Sequence, residues 1–132
     1  MKIKRGKFAF TGQDNFEKYL KAANVGMIVR NRVAAENPDL IIEMNGNDFT
    51  ISSISKSKMV KISFSLSEQF EADIGFDKII TYLPSLTNDG NSIRLQDLDD
   101  NSNSVVYTFT QNQLILIYSD RGVTGSRYFK AA

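Results

Sequence analysis

The chain has 132 residues, 42% hydrophobic and 23% charged, with a net charge of +1. This fits one folded domain over residues 1–132 and excludes a disordered chain. There is no Cys and no His, which removes a thiol nucleophile, a disulfide framework, a cysteine zinc site and the commonest general base. No apolar run is long enough to cross a bilayer, and the basic start MKIKRGKF lacks the apolar stretch of a secretory signal behind it. The charge is uneven: residues 1–38 carry eight Lys and Arg against three Asp and Glu, and residues 39–132 carry eight against twelve. That asymmetry is either ordinary surface variation or a field that steers toward anionic surfaces.

In chain order, Phe8 to Phe10 reads as a short strand. Asp14 and Glu17 have the spacing of a capping box, with Asp in the usual Ser/Thr place. The helix they open puts Phe16, Tyr19, Leu20 and Ala23 on one face and Glu17, Lys18 and Lys21 outside. Asn24 and Gly26 end it, and a second helix fits Met27 to Ala35, stopping before Pro38. The pair does not look like a DNA reader and is better taken as a lid.

From Leu40 the period changes to two. Leu40 to Met44 and Phe49 to Ile54 flank Asn45-Gly46, a strong hairpin signal. Val60, Ile62, Phe64 and Leu66 alternate with polar residues. A short strand begins at Phe70, and Ile79 to Leu86 is another that contains Pro84, which demands a bulge or an unpaired side. Ile93 to Leu98, Val105 to Thr110, Leu114 to Tyr118 and Val123 to Phe129 complete the set. So many consecutive hairpins favour an antiparallel barrel, which hides its edges, with the helix pair inserted after the first strand.

In the last strand Val123, Gly125, Arg127 and Phe129 share one face. Arg127 either ends that strand in water or points into an enclosed cavity and meets the polar end of a ligand.

The ordered set of GKFAF, DNFEKYLKAANVG, Arg30, Pro38, NGN at 45–47, FTISSIS at 49–55, KISFSL at 61–66 and SRYF at 126–129 resembles the intracellular lipid-binding proteins, that is, the fatty-acid-binding proteins and their retinoid- and bile-acid-binding relatives. The resemblance runs from about Gly6 to the end of the chain. It implies an all-β fold, a ten-stranded antiparallel up-and-down barrel capped by a helix–turn–helix, with a ligand inside and no cofactor. It implies a head-group site of two arginines and a tyrosine. Of these, Arg127 is kept, Phe129 stands for the tyrosine and Tyr107 for the second arginine, with Tyr118 and Gln96 as further hydrogen-bonding partners. It implies an entrance between Val25 to Ala35, Ser53 to Lys58 (with Ser53 and Ser55) and Asp73 to Phe76. Ser57 replaces a portal phenylalanine there, and Phe76 is the candidate gate. Phe16, Tyr19, Leu20, Val25, Val29 and Pro38 are expected along the ligand, although each of the helical residues also reads as plain packing.

The function expected is a non-enzymatic carrier of a long-chain fatty acid, cytoplasmic and monomeric. It would touch anionic membranes through Lys18, Lys21, Arg30 and Arg32, and would not bind nucleic acid. With one arginine lost, a neutral lipid or a bulkier retinoid-, bile-acid- or steroid-like ligand is the alternative, as is a regulatory protein with weakened binding. An enzyme finds no support: Asp97, Asp99 and Asp100 read as solvated turn residues, with no nucleophile–base pair.

Overall fold

A computed structural model of the chain describes residues 2–132. Strand β1 (Gly6–Asp14) is followed by helices α1 (Phe16–Ala22) and α2 (Met27–Ala35). Then come β2 (Asp39–Asn45), β3 (Asp48–Ile54), β4 (Met59–Ser65), β5 (Phe70–Ala72), β6 (Ile80–Leu86), β7 (Ser92–Asp97), β8 (Ser104–Phe109), β9 (Gln113–Asp120) and β10 (Val123–Ala131). All pairs are antiparallel, in the order β4-β3-β2-β1-β10-β9-β8-β7-β6-β5. Because β1 pairs with both β2 and β10, the first and last strands join and the sheet curls into a nearly closed barrel.

The unpaired edges of that sheet are β4 and β5. Side chains span the gap. Phe49, Phe64, Phe70 and Tyr82 form a row with ring centroids 5.5, 5.1 and 5.9 Å apart, and the Phe64–Phe70 stack bridges the two edges. Pro84 sits beyond the end of the short β5. Its carbonyl accepts from the Ser67 N–H on that side, so its missing N–H faces no strand. The predicted hairpin at Asn45-Gly46 is present one residue on. Asn45 pairs with Asp48, and Gly46 takes the positive φ, 61°, at the first central position, as a II′ turn requires.

The alternation read from the sequence sorts the two faces. Leu40 and Ile42, Ile51, Ile62 and Phe64, Ile93 and Leu95, Val105 and Tyr107, Leu114 and Leu116 are all buried in one core. Strand β1 is longer than Phe8 to Phe10 suggested, and this overturns the capping box. Asp14 is still in β1, paired with Ser126, and the residue that turns the chain is Asn15, in the left-handed region at φ 57°. Its side chain donates to the Thr124 carbonyl (2.8 Å) instead of capping the helix.

Candidate ligand-binding cavity

A cleft runs from the barrel interior to the surface between the end of α2, the β3–β4 turn and the β5–β6 loop. Arg32, Val33 and Glu36 line it from the helix side, Leu40, Ile51, Val60 and Ile62 from β2 to β4, Ile74 to Phe76 from the loop, and Tyr107, Leu116, Tyr118, Arg127 and Phe129 from the far wall. The cavity volume is about 60 Å³. It is a narrow slot.

Arg127 is buried, 5% exposed, which rules out the solvent-facing alternative. Its strand neighbour across the β1–β10 ladder is Gln13, and Nε donates to Gln13 Oε1 at 3.0 Å. Nη2 donates to the main-chain carbonyl of Glu36. The guanidinium carbon lies 4.7 Å from the Phe10 ring centroid and 4.6 Å from that of Phe16, so two aromatic faces offset part of its desolvation. Burial pushes its pKa below the ordinary value while Tyr118 and Glu36 pull the other way; an arginine starts so high that it stays charged. Among the described residues Nη1 has no hydrogen-bond partner, so one edge of the fork remains available.

Two tyrosines share the cleft with Arg127, and the guanidinium acts on the Tyr118 hydroxyl. Tyr107 and Tyr118 both line the cleft. Burial raises the pKa of both, to about 12 for Tyr118 against the opposing pull of Arg127. Both therefore remain O–H donors at neutral pH, and among the described residues neither makes a hydrogen bond. A cation and two unbonded hydroxyls lining one largely apolar slot suit an anionic or strongly polar head on an apolar tail.

The mouth is held by polar contacts. The Glu36 carboxylate accepts from Ser55 Oγ (2.6 Å) and Ser57 Oγ (2.8 Å) of the β3–β4 turn and pairs with Arg32 (3.2 Å). Arg32 also reaches Asp77 (3.6 Å) and the Gly75 carbonyl (3.4 Å), and Lys58 pairs with Asp77 (3.0 Å). Asp73 Oδ1 accepts from the amides of Gly75, Phe76 and Asp77. That loop turns Phe76 inward against Phe16, Tyr19 and Tyr118.

Of the predicted site residues, Arg127, Tyr107, Phe129, Tyr118, Pro38, Ser53, Ser55 and Phe76 come together around the cleft. Phe16, Tyr19, Leu20, Val25 and Val29 do not line it. Phe16, Tyr19, Leu20 and Val25 are buried in the packing of the cap on the barrel, the plain alternative their spacing allowed. Gln96 is a correction. The inward row of β7 is Ile93, Leu95 and Asp97, so Gln96 lies on the other row, and its amide donates to the carbonyls of Asp97, Asn101 and Asn103. Asp97 is not solvated either; it is buried and accepts from the amides of Asp99 and Asp100 and from Asn103 Nδ2. Gln13 and Glu36, the two groups that hold Arg127, were missed. Only the β1–β10 register puts Gln13 opposite Arg127, and no pattern in the sequence states that register.

An antiparallel barrel with first and last strands joined, a two-helix cap and an internal cleft holding a buried arginine defines a class of small amphiphile-binding barrels. No protein-family model matches the chain. It is 28% identical over 127 residues, 96% of this chain and 95% of the relative, to fatty acid-binding protein 5 of Pygoscelis papua. It is 29% identical over 101 residues, 76% of this chain and 74% of the relative, to sodium/calcium exchanger regulatory protein 1 of Doryteuthis pealeii. The crystal structure of a fatty acid-binding protein from brain tissue of Drosophila melanogaster superposes with a TM-score of 0.84 at 26% identity, covering 95% of this chain and 96% of that one. Over nearly its whole length the chain is thus similar, in sequence and in fold, to fatty acid-binding proteins.

Proposed function

We propose that this protein is a carrier that holds a long-chain fatty acid or a similar amphiphile inside its barrel, with Arg127 as the cation and Tyr107 and Tyr118 as hydroxyl donors to the head. The observation that carries this reading is the buried guanidinium with a free edge facing an apolar cleft. Each buried methylene supplies about 0.8 kcal/mol. A tail of some ten methylenes therefore approaches the roughly 8 kcal/mol of a micromolar complex before ordering costs. The slot must widen to admit such a tail, since it is narrower than the ~300 Å³ at which ligand pockets begin. We read the protein as a single domain and a binding protein rather than an enzyme, monomeric and cytoplasmic. Its membrane contact would be made where exposed Met27 and Ile28 sit beside the basic residues of the cap. No helix among the described residues is long and apolar enough to cross a membrane.

Titration of the delipidated, folded protein with a fluorescent fatty acid tests this. Saturable one-to-one binding in the micromolar range or tighter is expected, and a flat titration overturns the reading. A second reading, a regulatory protein with weakened binding, is favoured by the narrow slot and by the name of one relative; the flat titration is its expected result. Loss of affinity on Arg127→Gln, roughly tenfold or more for the fatty acid and much less for the matching alcohol, would assign the head group to Arg127.

A further inference from the structure

Helix α2 ends at Ala35 and, like any helix, leaves its last carbonyls without intrahelical partners. The Glu36 amide takes up the Val33 carbonyl. Two side chains from the barrel wall take up two others. Gln13 Nε2 donates to the Ala34 carbonyl at 3.0 Å, and Arg127 donates to that of Glu36. A guanidinium is well placed there, because the C-terminal end of a helix carries partial negative charge. Gln13 joins the two, accepting from Arg127 through its oxygen while donating to the helix through its nitrogen. The group that the carrier reading assigns to the ligand head is thus also the C-terminal cap of the lid helix.

Glu36 faces both ways. Its carbonyl is on Arg127 inside the barrel, and its carboxylate is tied to Ser55, Ser57 and Arg32 at the mouth. A shift of its backbone therefore disturbs both sets of contacts at once. The apolar seat of α2 is small: Val33 is its one fully buried residue, Val29 and Ala34 pack on the core only in part, and Met27 and Ile28 are 65% and 85% exposed.

We propose that Arg127 and Glu36 form a ligand-operated catch, in which an anionic head group seated on the free Nη1 edge draws the guanidinium off the Glu36 carbonyl and so frees the end of α2 at the mouth. The exchange favours the anion because a carboxylate brings a full opposite charge and two acceptor oxygens to the guanidinium, where the carbonyl offers only a dipole. A neutral head group has no such advantage and leaves the cap in place. Glu36 is then a positioning residue that makes mouth opening depend on head-group charge. This rests on the carrier reading, but its test separates the two.

Amide hydrogen exchange is followed at residues 33–37 of the full delipidated protein, alone and saturated with oleate or with oleyl alcohol. Oleate is expected to speed exchange roughly tenfold, the factor set by about 1.4 kcal/mol of lost capping, while the alcohol leaves it as in the free protein. Saturable oleate binding with exchange unchanged or slowed overturns the catch and leaves the carrier standing. Failure of both amphiphiles to bind overturns both. In a variant combining Ser55→Ala with Ser57→Ala, which spares the charge of Glu36 and the Arg127 contact, stopped-flow association of both amphiphiles is expected to quicken by about tenfold. An unaltered rate for both would show that the mouth contacts do not hold the lid and would overturn the catch.

Discussion

Helix α1 buries Phe16, Tyr19 and Leu20 in the cap-to-barrel packing, whereas α2, with nine residues against seven, buries only Val33 and leaves Met27 and Ile28 in solvent. Polar bonds hold both helices, but with different weight. The α1 end is pinned by Tyr19 to Asn103 and by Lys78 to the Ala23 carbonyl, on top of its apolar seat. The α2 end relies more on polar contacts, those of Gln13 and Arg127 with its carbonyls, of Ser55 and Ser57 with Glu36, and of Arg32 with Gly75 and Asp77, over a small apolar seat. Apolar burial is lost only when the whole contact opens, while hydrogen bonds and ion pairs can pass from one partner to another at little net change. One helix of the cap is therefore part of the barrel's core, and the other is held at its end mainly by polar contacts.

If that contrast is right, α1 should be the expensive helix to damage. Phe16→Ala removes a side chain 1% exposed that packs on Tyr118 at a 5.0 Å centroid distance and covers one face of Arg127. A loss of about 3–5 kcal/mol in urea unfolding is expected. Next comes Gly125 on β10. A Cβ there would lie 2.9 Å from both the Asn15 carbonyl oxygen and Phe16 Cα, main-chain atoms that cannot swing aside. Gly125→Ala is expected to lower stability by about 1–3 kcal/mol. A variant as stable as the parent would mean that α1 rides loosely on β10, and the contrast with α2 would fail.

The sequence made the barrel legible because its inward and outward rows alternate cleanly from Leu40 to Phe129, and the burial of Arg127 follows from its place between Gly125 and Phe129. The cleft was legible only in part. Tyr118 and Phe129 share the inward rows, so the same alternation reached them, and the resemblance added Tyr107, which is on the inward row of its own strand. The helical side chains did not follow, since period 3.6 says which face of α1 is buried but not whether it meets a cavity or packed atoms. Gln96 was read from the resemblance against its own strand, where Leu95 takes the inward place and Gln96 the opposite one. Gln13 and Glu36 stayed hidden because each acts on a residue about a hundred positions away, through a strand register and a main-chain carbonyl that no local pattern records.

Two smaller tests sharpen the contrast on its polar side. Tyr19 Oη donates to Asn103 Oδ1 at 3.1 Å, and Asn103 in turn donates to Asp97, both of them buried. Tyr19→Phe keeps the ring packing and breaks one bond of that chain. A loss of about 1 kcal/mol in urea unfolding is expected, with the α1 amides exchanging faster. An unchanged stability would mean that the ring alone seats α1.

The smallest effect is at the mouth, where Asp77 is held below its ordinary pKa of 3.8, first by the hydrogen bond from Lys58 and then by the charges of Lys58 and Arg32. A depressed carboxylate contributes its stabilisation above the unfolded pKa and loses it as pH falls through the folded one. The Lys58–Asp77 contact should therefore persist across the neutral range and dissolve only in acid. Titration of the Asp77 carboxyl by NMR should give a midpoint under 3.8, moving upward in Lys58→Ala while global stability barely changes, since an exposed pair is screened by solvent and contributes little. Added salt should raise the parent's midpoint too, because the pair is open to solvent and its charges are screened. A midpoint indifferent to both Lys58 and salt would mean that the Lys58–Asp77 pair does not tie the β3–β4 turn to the β5–β6 loop.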